Sequence, residues 1–171
     1  DHITSSSAQF NIEKLDWLNS HYIKTLPLER IASAIEPYLK EEVHSPIDPS
    51  LLIKAIDIHR ERANHLTSLA RDIAYIFEYQ KPNQQDFEKH INDEALKLIK
   101  SFQAALIKID WTKEAIHNVM NDVVTLQAIK FPKLAMPLRV LLTGIAQSPS
   151  IDVVMEILGH DETMKRLNLY L

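Results

Sequence analysis

The sequence predicts an all-α chain, and three observations carry that prediction. Glycine occurs only twice in 171 residues, at Gly144 and Gly159, and neither Asn-Gly nor Asp-Gly occurs. Tight hairpins favour those dipeptides because their central residues need φ > 0. The chain is punctuated instead by eight prolines, a residue that starts helices or breaks them. Apolar residues recur at steps of three and four, while no segment holds a period of two.

The elements follow in order. Ile12, Leu15, Leu18, Tyr22 and Ile23 lie on one face of a short amphipathic helix. Leu28, Ile31, Ala32, Ile35 and Leu39 repeat the pattern after Pro27, with Pro37 expected to weaken the end of that helix. Residues 41–46 form a polar connector. Asp48-Pro49 is a start signal, an N-cap followed by proline at the first helical position. The helix it opens carries Leu52, Ala55, Ile56 and His59 on one face, with Arg60 and Arg62 near its end. Leu66, Leu69, Ala70, Ile73, Ile76 and Phe77 form the next stripe.

Residues 80–85 are the most loop-like polar stretch, and a subdomain boundary is expected there. Beyond it come a short helix on Phe87 and Ile91, then a longer one on Leu96, Ile99, Phe102 and Leu106. Thr112 caps a helix bearing Ile116, Val119, Met120, Val123 and Leu126. Residues 135–143 make another, with Pro137 in its first turn and Gly144 just past its end. Ser148-Pro149-Ser150 opens a helix that closes at Gly159, and residues 161–169 make a terminal amphipathic helix. Trp17 and Trp111 each sit beside apolar neighbours, so both are expected in the core.

Composition removes many function classes. Two widely separated glycines cannot form the glycine-rich loops that cradle phosphates. Without cysteine there is no disulfide, zinc ribbon, iron–sulfur cluster or thiol nucleophile. No apolar run reaches the ~18 residues of a membrane span, and residues 1–10 are too polar for a signal peptide. A cytoplasmic location without membrane contact is expected. The eight histidines are scattered, and His59 and His65 miss the i,i+4 spacing of a helical ligand pair, so no metal site is expected. The carboxylate pairs Glu41-Glu42, Asp93-Glu94 and Asp161-Glu162 read as solvated faces or helix starts. No G-x-S-x-G or S-x-x-K pattern occurs. No catalytic residue is expected in this chain.

Charge distribution says more than the net charge of −4. No acidic residue lies between Asp122 and Asp152, a window that holds Lys130, Lys133 and Arg139. A second basic cluster, Lys54, Arg60, Arg62 and Arg71, is diluted by Asp57 and Glu61. Local positive surface on an acidic chain suits a specific anionic partner better than a general nucleic-acid coater. On these residues alone, RNA binding and an all-helical protein–protein interaction module without catalytic activity both remain open.

Two blocks carry a resemblance. One reads Lys133-Leu134-Ala135-Met136-Pro137-Leu138-Arg139-Val140-Leu141-Leu142-Thr143-Gly144, followed by Ser148-Pro149 and Ile157-Leu158-Gly159. The other reads Lys14-Leu15-Asp16-Trp17-Leu18-Asn19, then Tyr22-Ile23. Together they resemble the carboxy-terminal, anticodon-binding region of bacterial glutamyl-tRNA synthetases, over nearly the whole chain. The resemblance implies two packed helical subdomains, residues 1–81 and 82–171, forming an anticodon-binding helical cage. It implies tRNA(Glu) as partner, and a parent enzyme, a monomer, that joins glutamate to tRNA with ATP and Mg²⁺. The H-I-G-H-like and K-M-S-K-S-like signatures of the catalytic domain do not occur here. The chain is therefore expected to be inactive alone, to use no cofactor itself, and to pair with its own N-terminal catalytic domain.

Site residues carry over only where the pattern matches. Arg139, Ser148 and Ile151 correspond to positions that face anticodon bases, and Arg62 to the arginine that reads the third base, although Arg60 aligns nearly as well. Arg60, Lys130 and Lys133 are then candidate phosphate contacts. Read without the resemblance, Ser148 is a plain N-cap, Ile151 a core residue and Arg139 a partner for helix carbonyls.

Overall fold

A computed structural model describes residues 11–171; residues 1–10, which the signal-peptide argument used, lie outside it. Nine α-helices and one 3₁₀ turn make up its regular structure, with no strand among the described residues. The helices are α1 (Ile12–Thr25), α2 (Leu28–Glu42), α3 (Pro49–His59), α4 (Leu66–Phe77), α5 (Gln84–His90), α6 (Asp93–Ala105), α7 (Lys113–Leu126), α8 (Pro132–Thr143) and α9 (Ile151–Leu167). The 3₁₀ turn, Arg60–Arg62, directly follows α3.

Caps explain most of the starts. Asp48 accepts the Leu51 amide at 2.7 Å ahead of Pro49, and Thr112 accepts the Ala115 amide at 3.2 Å. Asn11, Asn83 and Asn92 cap α1, α5 and α6 in the same way. Pro37 does not end α2, which runs on to Glu42. The lost amide bond is tolerated because Ile31, Ile35 and Leu39 are buried along one face. Helix α8 starts earlier than expected, at Pro132, where a ring that lacks an N–H replaces a donor that would be unbonded anyway. Pro137 consequently lies inside the helix rather than in its first turn.

In the first half α2 packs on α3 and α4; in the second, α8 contacts α5, α6 and α9, while α7 contacts α6 and α9. Helix α3 touches α9, and buried side chains from Ile23 to Leu167 form one continuous core. Residues 80–83 link the halves. The Asn83 amide donates to the Gly144 carbonyl at 3.1 Å, and Asp86 accepts the Ala146 amide at 2.9 Å. Gly144 closes α8 at φ 83°, and a Cβ there would meet the Gln80 carbonyl oxygen at 3.0 Å. The expected end at Gly159 is a break in φ/ψ (78°, 165°) within α9, and helix resumes on its far side.

The two tryptophans differ. Trp111 packs on the core and donates its indole N–H to the Met155 carbonyl at 2.8 Å. Trp17 corrects the expectation: it is 64% exposed and stacks on His21. Helix α1 buries only Ile23, so its apolar pattern does not translate into burial among the described residues.

Candidate functional site

The loop between α8 and α9 draws together side chains far apart in sequence. Arg62, at the end of the 3₁₀ turn, donates from Nη1 to the Ser148 carbonyl at 2.6 Å. Arg139, on α8, donates from Nε to Ser148 Oγ at 2.9 Å and from Nη1 to Met136 Sδ at 3.1 Å. The Ser148 hydroxyl in turn donates to the Pro149 carbonyl at 2.9 Å. Behind this loop, the Asp152 carboxylate bonds the Ser150 hydroxyl, the Val153 amide at 2.9 Å and His117 Nδ1 at 3.0 Å. These bonds fix the entry into α9 and hence the position of Ser148.

Two guanidinium groups on one serine make an electropositive locus. Among the described residues, the arginine ion pairs are those of Arg60, Arg71 and Arg166. Arg62 and Arg139 have no carboxylate partner there. Partial burial, and then the charge of Arg62, lower the pKa of Arg139, yet a guanidinium stays charged at any physiological pH. The arrangement offers planar, multi-donor groups with uncompensated charge to an acceptor-rich ligand.

A buried polar pair supports the locus from below. His59 Nδ1 bonds the Ala55 carbonyl at 2.8 Å, and Tyr75 Oη lies 3.3 Å from His59 Nε2. Burial lowers the His59 pKa from 6.5 to about 4; the bond to Ala55 opposes this and the Arg62 charge adds to it. The ring is neutral, donating from Nδ1 and accepting the Tyr75 hydroxyl proton at Nε2. Burial also raises the Tyr75 pKa, keeping the phenol protonated. Between pH 6.5 and 4 the unfolded chain binds a proton that the folded chain does not. Stability from this group is therefore complete above pH 6.5 and falls with acidification through that window, by roughly 3 kcal/mol at most. Urea unfolding at neutral and acidic pH should show the stability gap between wild type and His59→Gln narrowing as pH falls; a constant gap would refute the buried neutral ring.

Of the expected site residues, the structure brings Arg62, Arg139 and Ser148 together. Arg60 turns away and pairs with Asp57 at 3.4 Å. Lys130 and Lys133 are exposed at the start of α8 and line a separate cavity. Ile151 is 1% exposed and lies in the core, because the first turn of α9 faces inward. Sequence reasoning missed Tyr75 and Arg166. Arg166, 1% exposed, donates to Glu162 at 2.8 Å and to the Leu142 carbonyl at 2.7 Å, and lies over the Tyr79 ring. Its spacing of four from Glu162 was a visible signal for a helical pair.

Among the described residues, no group of three or more His, Cys, Asp or Glu side chains could hold a metal ion. No helix there is long and apolar enough to cross a membrane.

Comparison with known proteins gives a consistent result. The family model described as the anticodon binding domain matches residues 30–171. A glutamate–tRNA ligase of Methylobacillus flagellatus is 46% identical over 169 residues, covering 98% of this chain and 36% of that protein. The glutamate–tRNA ligase of Dechloromonas aromatica is 38% identical over 171 residues, covering 100% of this chain and 37% of that protein. The chain thus spans little more than a third of the relatives it matches. A solved glutamate tRNA ligase from Elizabethkingia meningosepticum shares the fold, with a TM-score of 0.83 at 24% identity over 94% of this chain and 32% of that one. From the family match, the similarity along the chain and the shared helical architecture, the chain belongs to the anticodon binding domain family, in the form found in glutamate–tRNA ligases.

Proposed function

We propose that this chain docks the anticodon of tRNA(Glu) for a glutamate–tRNA ligase, whose whole form joins glutamate to the tRNA with ATP and Mg²⁺ in the cytoplasm. Under this reading Arg62, Arg139 and Ser148 meet anticodon bases, and the partners are the tRNA and the enzyme's own catalytic part. The division into two halves, residues 1–81 and 82–171, places the junction beside the Gly144 turn. The carrying observation is the convergence of Arg62 and Arg139 on Ser148 without a carboxylate partner.

The chemistry suits unpaired RNA. Sequence-specific RNA recognition works on unstacked bases whose edges accept and donate hydrogen bonds. A guanidinium can stack on such a base or hold two acceptors. The Ser148 carbonyl and hydroxyl add groups that can exchange their internal bonds for bonds to a base.

Filter binding of tRNA(Glu) across a salt series tests the proposal. Affinity should fall steeply as salt rises, because phosphate contacts release counterions. A tRNA with a substituted anticodon should bind more weakly at every salt concentration. Equal binding of both tRNAs would overturn anticodon recognition.

A further inference from the structure

A cavity of about 620 Å³, separate from the Ser148 locus, opens between α5–α6 and α8 with the segment that leads into it. Its volume is in the range of small-molecule sites. Four lysines line it: Lys89, Lys97, Lys130 and Lys133. Glu94 is the only carboxylate among its lining residues. The lysine ion pairs among the described residues are those of Lys40, Lys113 and Lys165, so the four cavity lysines have no carboxylate partner there. Leu98, Ile129, Met136 and Pro137 supply apolar surface to the same cavity.

One buried polar atom in this lining lacks a partner, and one carbonyl loses its ordinary helical donor. His90 Nε2 is buried with no hydrogen-bond partner. Pro137, inside α8, has no N–H to give the Lys133 carbonyl its helical bond, and both residues line the cavity. Buried polar groups are almost always satisfied, and an exception calls for a ligand or water. The combination is cationic at the edge, apolar within, and supplied with an imidazole nitrogen and a carbonyl.

We propose that this cavity binds a nucleotide, with the base against Leu98, Met136 and Pro137 and the phosphate among the lysines. An apolar slot admits a flat heteroaromatic ring, His90 Nε2 and the Lys133 carbonyl meet its polar edge, and the lysines neutralise the phosphate. The nucleotide has two possible sources: a further residue of a bound RNA strand, or a free mononucleotide. Met136 joins the cavity to the anticodon locus, since it lines the one and accepts a bond from Arg139 of the other. For the strand source the inference rests on the tRNA reading; for the free source it does not.

The test has two arms. In the first, CMP, UMP, AMP and GMP are titrated into the chain while the His90 imidazole and Met136 methyl resonances are followed by NMR. In the second, tRNA(Glu) binding is measured for wild type, Lys97→Glu/Lys133→Glu and Arg139→Ala. A saturable shift of both resonances by a mononucleotide, abolished by the double charge reversal, assigns the free source. Loss of tRNA affinity by about tenfold or more in the double variant, with circular dichroism unchanged, assigns the strand source. Full tRNA affinity in the double variant, together with no shift in the first arm, overturns the inference. If Arg139→Ala alone then weakens tRNA binding, the anticodon reading survives that failure. If the wild type binds no tRNA yet a mononucleotide shifts both resonances, the anticodon reading falls and the cavity remains assigned. Should the double variant fail to fold, the single variant Lys97→Glu, at an exposed position on α6 away from Arg139, replaces it with the same expected losses.

Discussion

Replacing Arg166 with alanine should lower the melting temperature by about 10 °C. The guanidinium is 1% exposed and lies over the Tyr79 ring, 5.4 Å from its centroid. Its Nη1 bond to the Leu142 carbonyl at 2.7 Å satisfies one of the last carbonyls of α8, which have no donor of their own within the helix. Its Nε bond to Glu162 at 2.8 Å holds together the segment of α9 beyond the Gly159 break. Removing one partner of a buried charged pair costs about 3–5 kcal/mol, and the partial exposure of Glu162 puts this case near the lower end. The Arg166 charge also favours ionisation of Glu162, whose pKa is lowered by bonds to Arg166 and Lys165 against the opposing effect of burial. Thermal melting at neutral pH checks the prediction; a loss below about 1 kcal/mol would mean that Arg166 is held by its surroundings rather than holding them.

The second large effect is on binding. Arg139→Ala should weaken tRNA(Glu) binding by about 5- to 150-fold, as expected for about 1–3 kcal/mol of contact to a base edge. The melting temperature should move little, because Ser148 keeps its bond to the Pro149 carbonyl and Arg139 itself is only partly buried. Arg139→Lys separates charge from shape. Lysine keeps the positive charge but loses the planar fork, so it should recover the salt dependence without recovering discrimination between anticodons. Equal tRNA affinity for wild type and Arg139→Ala would remove Arg139 from the proposed interface.

The elements legible in the sequence were those with local chemical punctuation. Asp48-Pro49, Thr112 and Gly144 each mark a boundary through a side chain or a φ angle that acts within one turn, and the structure has all three in those roles. Pro37 and Pro132 were harder, because whether proline ends, starts or merely interrupts a helix depends on tertiary packing that periodicity does not contain. Trp17 failed for a related reason. An apolar stripe says that a face is suited to burial, not that something covers it among the residues present.

For the candidate site, three of the expected residues converge in the structure, and the geometry that brings them together was not legible in the sequence. Resemblance supplied Arg62, Arg139 and Ser148, while only the fold showed that Arg62 reaches the Ser148 carbonyl and that Arg60 is taken up by Asp57. Nothing in the linear pattern distinguishes those two arginines, since they differ by the direction a 3₁₀ turn gives them. The cavity beside α8 was invisible for the same reason: its lysines come from α5, α6, the segment before α8 and the first turn of α8, with a long stretch of chain between Lys97 and Lys130.

The break in α9 bears on chirality. At Gly144 a side chain is excluded twice over, by the sign of φ and by the Gln80 backbone. At Gly159 a Cβ would meet nothing within 4 Å, so room is available and only handedness forbids an ordinary residue. The mirror image of its backbone angles falls in the extended region open to any L-residue. A D-alanine installed at position 159 by chemical ligation of the short C-terminal segment should therefore preserve the fold. The L-alanine variant should lose about 1–3 kcal/mol to strain alone. Of the two glycines, Gly144 excludes a side chain by hand and by volume, whereas Gly159 excludes it by hand alone.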